Sequence, residues 1–142
     1  AFRDYSEMKA KAEYMHTFGV GTVSDVARTL AMFGAFTEGM SLFASFAMLM
    51  NFPRFNKMNG MGQIVSWSVR DESLHCEGIT KLYHAWNKET GAVTKAVRDD
   101  IIDVAKTMVR LEEGFVDLAF SLGDVQGMTP ADIKAYVHYI AD

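Results

Sequence analysis

Apolar residues recur along this chain at helical spacing, and no run alternates convincingly with a period of two. The pattern predicts a first helix over about residues 2–17, closed by the Gly19-Val20-Gly21 turn. Thr22 or Ser24 can cap a second helix, with Asp25 favourable in its first turn. That helix is expected to run to about Asn51, because Phe52 precedes Pro53 and is pushed out of helical geometry. "FPRFNKMNG" then reads as a loop, followed by a third helix over about 60–87 and a fourth from about Val93 to Leu122. Thr129-Pro130-Ala131-Asp132 combines a capping hydroxyl, proline at the first helical position and an acid, which is a helix start. Repeats, low-complexity tracts and linker-like segments are lacking, so the expectation is one all-α domain over residues 1–142.

The second helix stands apart. Between Thr29 and Pro53 its one ionisable residue is Glu38. The stretch is long enough to span a bilayer. However, Gly34, Gly39, Ser41 and Ser45 interrupt it, and its flanks lack a Lys/Arg cluster or aromatic belt. The first, fourth and fifth helices carry charges at solvent-face spacing, so it is expected to be a central core helix and not a membrane span. Ten Met and ten Phe fit a soft, aromatic-rich interior. A net charge of −4 without a basic stripe gives no case for nucleic-acid binding. The single cysteine, Cys76, excludes an intrachain disulfide and fits a reducing, cytoplasmic setting. "AFRDYSEMKAKAEY" reads as the inside of a helix and "AYVHYIAD" ends without a stop signal, so both ends are expected to be truncated.

An ionised carboxylate buried alone is too costly to keep, so Glu38 must be neutral, paired or metal-bound. Glu38 lies 14 residues before Phe52, and Glu72 lies 13 residues after Asn59. In an antiparallel hairpin each carboxylate would sit about 20 Å from the turn, at the same height. Ile64, Ser68, Glu72, His75, Ile79 and Leu82 share one stripe by three- and four-residue steps, as do Leu30, Gly34, Glu38, Leu42 and Phe46. The two stripes are expected to face each other. A Glu on one helix and Glu-x-x-His on its neighbour form half the ligand set of ferritin-like di-metal bundles, suited to iron or manganese. The bland alternative is a buried Glu38 bonded to a serine beside an Asp-Glu pair on a solvated edge. Glu13 and His16 repeat the Glu-x-x-His spacing, but they lie near the Gly19–Gly21 turn, far below the level of Glu38, on a solvated face. Glu112 and Glu113, with Arg110 nearby, also fit a solvated face, and Cys76, about 100° round the helix from His75, reads as a packed or partly exposed free thiol.

"FTEGMSLFASFAMLMNFPRFNKMNGMGQIVSWSVRDESLH", with its two acids 34 positions apart, resembles the second half of the small, radical-generating subunit of class I ribonucleotide reductase. The tail "LEEGFVDLAF…GMTPADIKAYVHYIAD" is similar to that family too. The resemblance implies a ferritin-like bundle with a di-iron centre (or manganese, or a manganese–iron pair) that generates a radical for a large subunit reducing ribonucleotides. It implies Glu38, Glu72 and His75 as metal ligands and Asp71 as the relay of an electron and proton. Leu42 and Phe46 would line the apolar pocket that protects the radical.

That family's subunit is roughly twice as long, and its first half supplies another acid, another Glu-x-x-His and usually the radical tyrosine. Tyr5, Tyr14, Tyr83, Tyr136 and Tyr139 match none of that tyrosine's context. The chain is therefore expected to hold half a site and to be inactive alone. A missing N-terminal half would complete it, or a second copy in a homodimeric di-metal protein without reductase activity, since two such hairpins supply four carboxylates and two histidines. The rival from another class is a metal-free helical association module.

Overall fold

The computed structural model describes residues 5–142, which form six α-helices, a π-helical segment and a 3-10 turn. Helix α1 spans Ser6–Met15. Helix α2 (Val23–Leu30) is capped by Thr22, whose hydroxyl accepts from the Asp25 amide while the Asp25 carboxylate accepts from the Thr22 amide. Of the two candidate caps, Thr22 is the one used. The chain then passes without a break through a π-helix, Ala31–Ser41, into α3, Leu42–Met50. These three segments make one rod.

The rod does not end as expected. Phe52 keeps right-handed helical angles (φ −63°, ψ −45°) despite preceding Pro53, and Pro53–Phe55 adds a 3-10 turn. The reversal is instead carried by left-handed Asn56 (φ 56°) and Met58 (φ 49°). Helix α4, Asn59–Thr90, returns along the rod, and Gly91 (φ 64°) terminates it in a left-handed cap. Helix α5 (Lys95–Ser121) follows, then α6 (Pro130–Ala141), which begins with the Thr129/Asp132 capping box.

The rod packs against α4 and also against α5 and α6. On the α5–α6 side, Met32, Met40 and Ala44 meet Val104, Met108, Val116, Ile133 and Val137 in the main core. A smaller cluster joins Ala27 to Ala92 and Val97, flanked by Trp86, whose indole N–H donates to the Val23 carbonyl at 2.9 Å. The Val23–Phe55 stretch is long and apolar enough to cross a membrane by length and composition. Here it is the element the others pack around, as a core helix would be.

Helix α4 is left largely uncovered by the described residues. Of its residues only Gly62 and Val65 are buried. Ile64 and Leu82, expected to face the rod, are 59% and 52% exposed. Trp67 and Leu74 are also exposed, so the open side carries Gly60, Ile64, Trp67, Asp71, Leu74, Gly78, Leu82 and Ala85 at steps of three and four. Steps of three and four are the spacing by which helices pack on one another, and Asp71 is the single charge on this face.

Candidate metal centre

Glu38 lies inside the π-helix. Hydrogen bonds that skip one extra residue widen the helix and shift every later side chain from its 3.6-residue position. The Thr37 hydroxyl reinforces the wider turn by donating to the Met32 carbonyl, five residues back, at 3.1 Å. The straight stripe through Leu30, Gly34, Glu38, Leu42 and Phe46 is therefore bent at its middle. Leu42 is half-buried just beyond the π segment, and Phe46 is buried in edge-to-face contact with Phe43.

Glu38 and Glu72 nevertheless lie at one level. One ligand atom each from Glu38, Glu72 and His75 lies within 4.8 Å of the others. His75 Nδ1 sits 3.0 Å from Glu72 Oε2. Its pKa is raised from the ordinary histidine value, first by that hydrogen bond, then by the Glu72 charge, with smaller contributions from Glu38 and Asp71. Glu38 Oε2 is buried and has no hydrogen-bond partner. The bland reading required a serine bonded to Glu38, and the described residues offer none; Ser41 Oγ is itself buried without a partner.

These facts test whether a metal fits. Two carboxylates share a small volume with one imidazole, so their mutual repulsion is only partly relieved. A buried carboxylate oxygen without a donor is an unmet demand for positive charge. Oxygen and imidazole donors suit a hard-to-borderline divalent ion. Two ligands across such an ion stand about 3–4 Å apart, given bonds of 2.0–2.2 Å, so small side-chain rotations close the site. The residues fit. Glu38 and Glu72 are partly buried, whereas His75 is exposed, so the cluster opens toward the uncovered seam of α4.

The remaining candidates separate cleanly. Asp71 is exposed beside Glu72 on that seam, and makes no side-chain hydrogen bond among the described residues. Glu13 and His16 are exposed, Glu13 pairs with Lys9 at 3.7 Å, and neither joins the cluster. Cys76 is a half-buried free thiol whose Sγ lies 3.8 Å from the Gly34 carbonyl, and burial followed by the Glu38 and Glu72 charges pushes its pKa up.

Glu112 overturns the solvated-face expectation. It is fully buried and forms an ion pair with Lys11 of α1, while its Oε1 is left without a partner. Glu113 is half-buried and faces His138 Nε2 at 3.0 Å. The signal for Glu112 was present: Val104, Met108, Glu112 and Val116 are four-residue neighbours, and all are buried.

The family model "Ribonucleotide reductase, small chain" matches residues 1–142. Among curated relatives, a probable ribonucleoside-diphosphate reductase small subunit of Invertebrate iridescent virus 6 is 38% identical, over 99% of this chain and 49% of its own length. Its counterpart in Invertebrate iridescent virus 3 is 36% identical, over 99% and 43% respectively. The crystal structure of a putative class I ribonucleotide reductase from Bacillus halodurans superposes with a TM-score of 0.89 at 20% identity, covering 99% of this chain and 51% of that one. The fold is thus shared, and the chain spans about half the length of the relatives it matches.

Proposed function

The chain belongs to the ribonucleotide reductase small-chain family, and from that premise we propose that Glu38, Glu72 and His75 are half of a di-metal carboxylate centre that generates the radical for deoxyribonucleotide synthesis. The observation that carries this reading is the buried, unpartnered Glu38 oxygen beside Glu72 and His75. Iron is the expected metal, with manganese or a manganese–iron pair as alternatives; bound there and oxidised by dioxygen, it would supply the one-electron oxidation that leaves a radical on the protein.

The residues of the chain hold and shape this site. Glu38 and Glu72 supply carboxylate oxygens, and His75 supplies a ring nitrogen once it exchanges its bond with Glu72 for the ion. Leu42 and Phe46 keep water from the apolar side. Asp71, exposed one residue from Glu72, relays an electron and proton between the centre and a more distant aromatic group, a role carried by its place in "RDESLH".

The remaining acid and Glu-x-x-His come from a complementary N-terminal half, which also covers the α4 seam. In that assembly residues 1–142 act as one all-α unit, cytoplasmic, serving a large ribonucleotide reductase subunit. A second copy of the chain is the alternative, favoured by the ligand count: one acid plus one Glu-x-x-His is half the ferritin-like set. Native mass measured together with iron and manganese content decides. Metal shared between this chain and a complementary half supports the first reading, and metal shared by two copies supports the second. A chain that stays metal-free after anaerobic loading with Fe(II), and whose stability ignores the metal, returns the protein to the association module.

A further inference from the structure

Two glycines flank Glu38 in the π-helix, and both face α4: a Cβ on Gly39 would meet Cys76 Sγ at an ordinary 3.8 Å, whereas one on Gly34 has no room. A Cβ built on Gly34 would lie 2.3 Å from Ile79 Cγ2 and 3.0 Å from Ile79 Cβ. Carbon atoms pack best at about 3.5–4.0 Å, so such a Cβ would have to displace Ile79 by more than about 1 Å. The blocking atoms are the branch point and a methyl on it, not the far end of a flexible chain. A β-branched side chain in a helix has essentially one rotamer and cannot swing aside. The displacement would be taken up by the two helix backbones.

Gly34 precedes Glu38 by four residues, and Ile79 follows His75 by four. In an antiparallel pair both steps run the same way, so the contact lies about 6 Å, one turn, from the ligands on both helices. A second contact accompanies it: the Cys76 thiol approaches the Gly34 carbonyl at 3.8 Å. The bare backbone at Gly34 therefore lets α4 settle against the π segment at the level where three ligand atoms must converge.

We infer that Gly34, with Ile79 seated against it, is a positioning residue that sets the spacing between Glu38 and the Glu72–His75 pair. The inference rests on the metal reading above and adds a determinant of affinity that is not itself a ligand. Groups that orient ligands typically contribute roughly 10- to 100-fold to metal affinity.

The test is a Mn(II) titration of the full chain without oxygen, reading free Mn(II) by electron paramagnetic resonance alongside the denaturant midpoint of each variant. Gly34→Ala is expected to weaken Mn(II) binding at least roughly tenfold. The double variant Gly34→Ala/Ile79→Ala, which removes the nearer blocking methyl and leaves only the Cβ at 3.0 Å, is expected to recover part of that loss. Gly62→Ala is the control for destabilisation alone, since its Cβ would meet Pro53 Cγ at the same 2.3 Å. It should lower the denaturant midpoint and leave Mn(II) affinity unchanged. Gly34→Ala binding Mn(II) like the wild type, beside a Glu72→Ala variant that does not, refutes this inference alone. Wild-type binding by Glu72→Ala refutes the metal centre, and the inference with it. A Gly34→Ala loss matched by Gly62→Ala and unrescued by Ile79→Ala also overturns it, because affinity would then follow stability and not spacing.

Discussion

Two carboxylates lie against the apolar interior of this molecule, Glu38 in an otherwise apolar rod and Glu112 on the buried face of α5, and they are provided for differently. Glu112 is completely buried, and Lys11, itself mostly buried, supplies an ammonium to one of its oxygens. Glu38 is only partly buried, yet its buried oxygen has no donor, and its nearest ionisable neighbours add another carboxylate. Burial alone would make Glu112 the stronger candidate for a site. The partner is what distinguishes them: a buried acid with its own cation fastens α1 to α5, whereas Glu38 meets a second acid and a histidine, the cluster on which the proposed metal centre rests.

Removing a ligand should produce the largest effect. Glu72→Ala is expected to abolish iron or manganese binding, as is Glu38→Ala, read as metal per chain after anaerobic loading. Glu77→Ala should leave metal content intact, because Glu77 is exposed and its pKa is lowered mainly by a hydrogen bond from Lys81, one turn along the helix. Glu13→Ala should likewise change nothing. Metal retained in Glu72→Ala, or lost in Glu13→Ala, would erase the contrast between the paired and the unpaired acid.

The second effect concerns the paired acid. Lys11→Met strands Glu112 in the core, and breaking a buried pair from one side costs about 3–5 kcal/mol. Thermal or denaturant unfolding should register that loss in the full chain. Replacing both partners, Lys11→Met/Glu112→Leu, should recover most of it, since a matched apolar pair removes the stranded charge. Metal affinity should not distinguish these variants once each is folded. A Lys11→Met protein as stable as the wild type would mean that Glu112 finds compensation the ion pair does not describe.

Much of this was legible before any coordinates, for identifiable reasons. Helix starts at Thr22 and Thr129 are local chemistry: a hydroxyl and an acid three residues on cap the same backbone amides. The level match of Glu38 and Glu72 followed from rise per residue and a short reversal, and it survived the π segment between them. What failed depended on information beyond local pattern. The π-helix has no strong sequence mark, so the straight stripe through Glu38 was drawn with the wrong period. Phe52 stayed helical because the preference of a residue before proline is weak enough for packing to override. Apolar spacing reports only that a face wants cover, so it does not show that Ile64 and Leu82 are left exposed by the described residues. Glu112 was misread because Glu113 and Arg110 beside it are charged, although its four-residue neighbours Met108 and Val116 marked the core face.

The smallest effects come from the caps, and they test whether the two halves of the comparison are separable. The Thr22/Asp25 box starts the rod that carries Glu38, and the Thr129/Asp132 box starts α6, which closes over the core that holds Glu112. Thr129→Ala should cost about 1 kcal/mol in stability with unchanged metal content. Acid sharpens this. Hydrogen bonds from the Thr129 hydroxyl and amide hold the Asp132 pKa below the usual aspartate value of 3.8. Its folded-state pKa is thus lower than its unfolded one, so the unfolded chain binds the proton more readily. The contribution is complete above the ordinary aspartate value and is lost as pH falls through the folded-state value. The denaturant midpoints of wild type and Asp132→Ala should therefore converge as pH drops below that ordinary value, while staying separated at pH 7. A gap that persists into acid would show that Asp132 acts through packing and not through its charge at the start of α6.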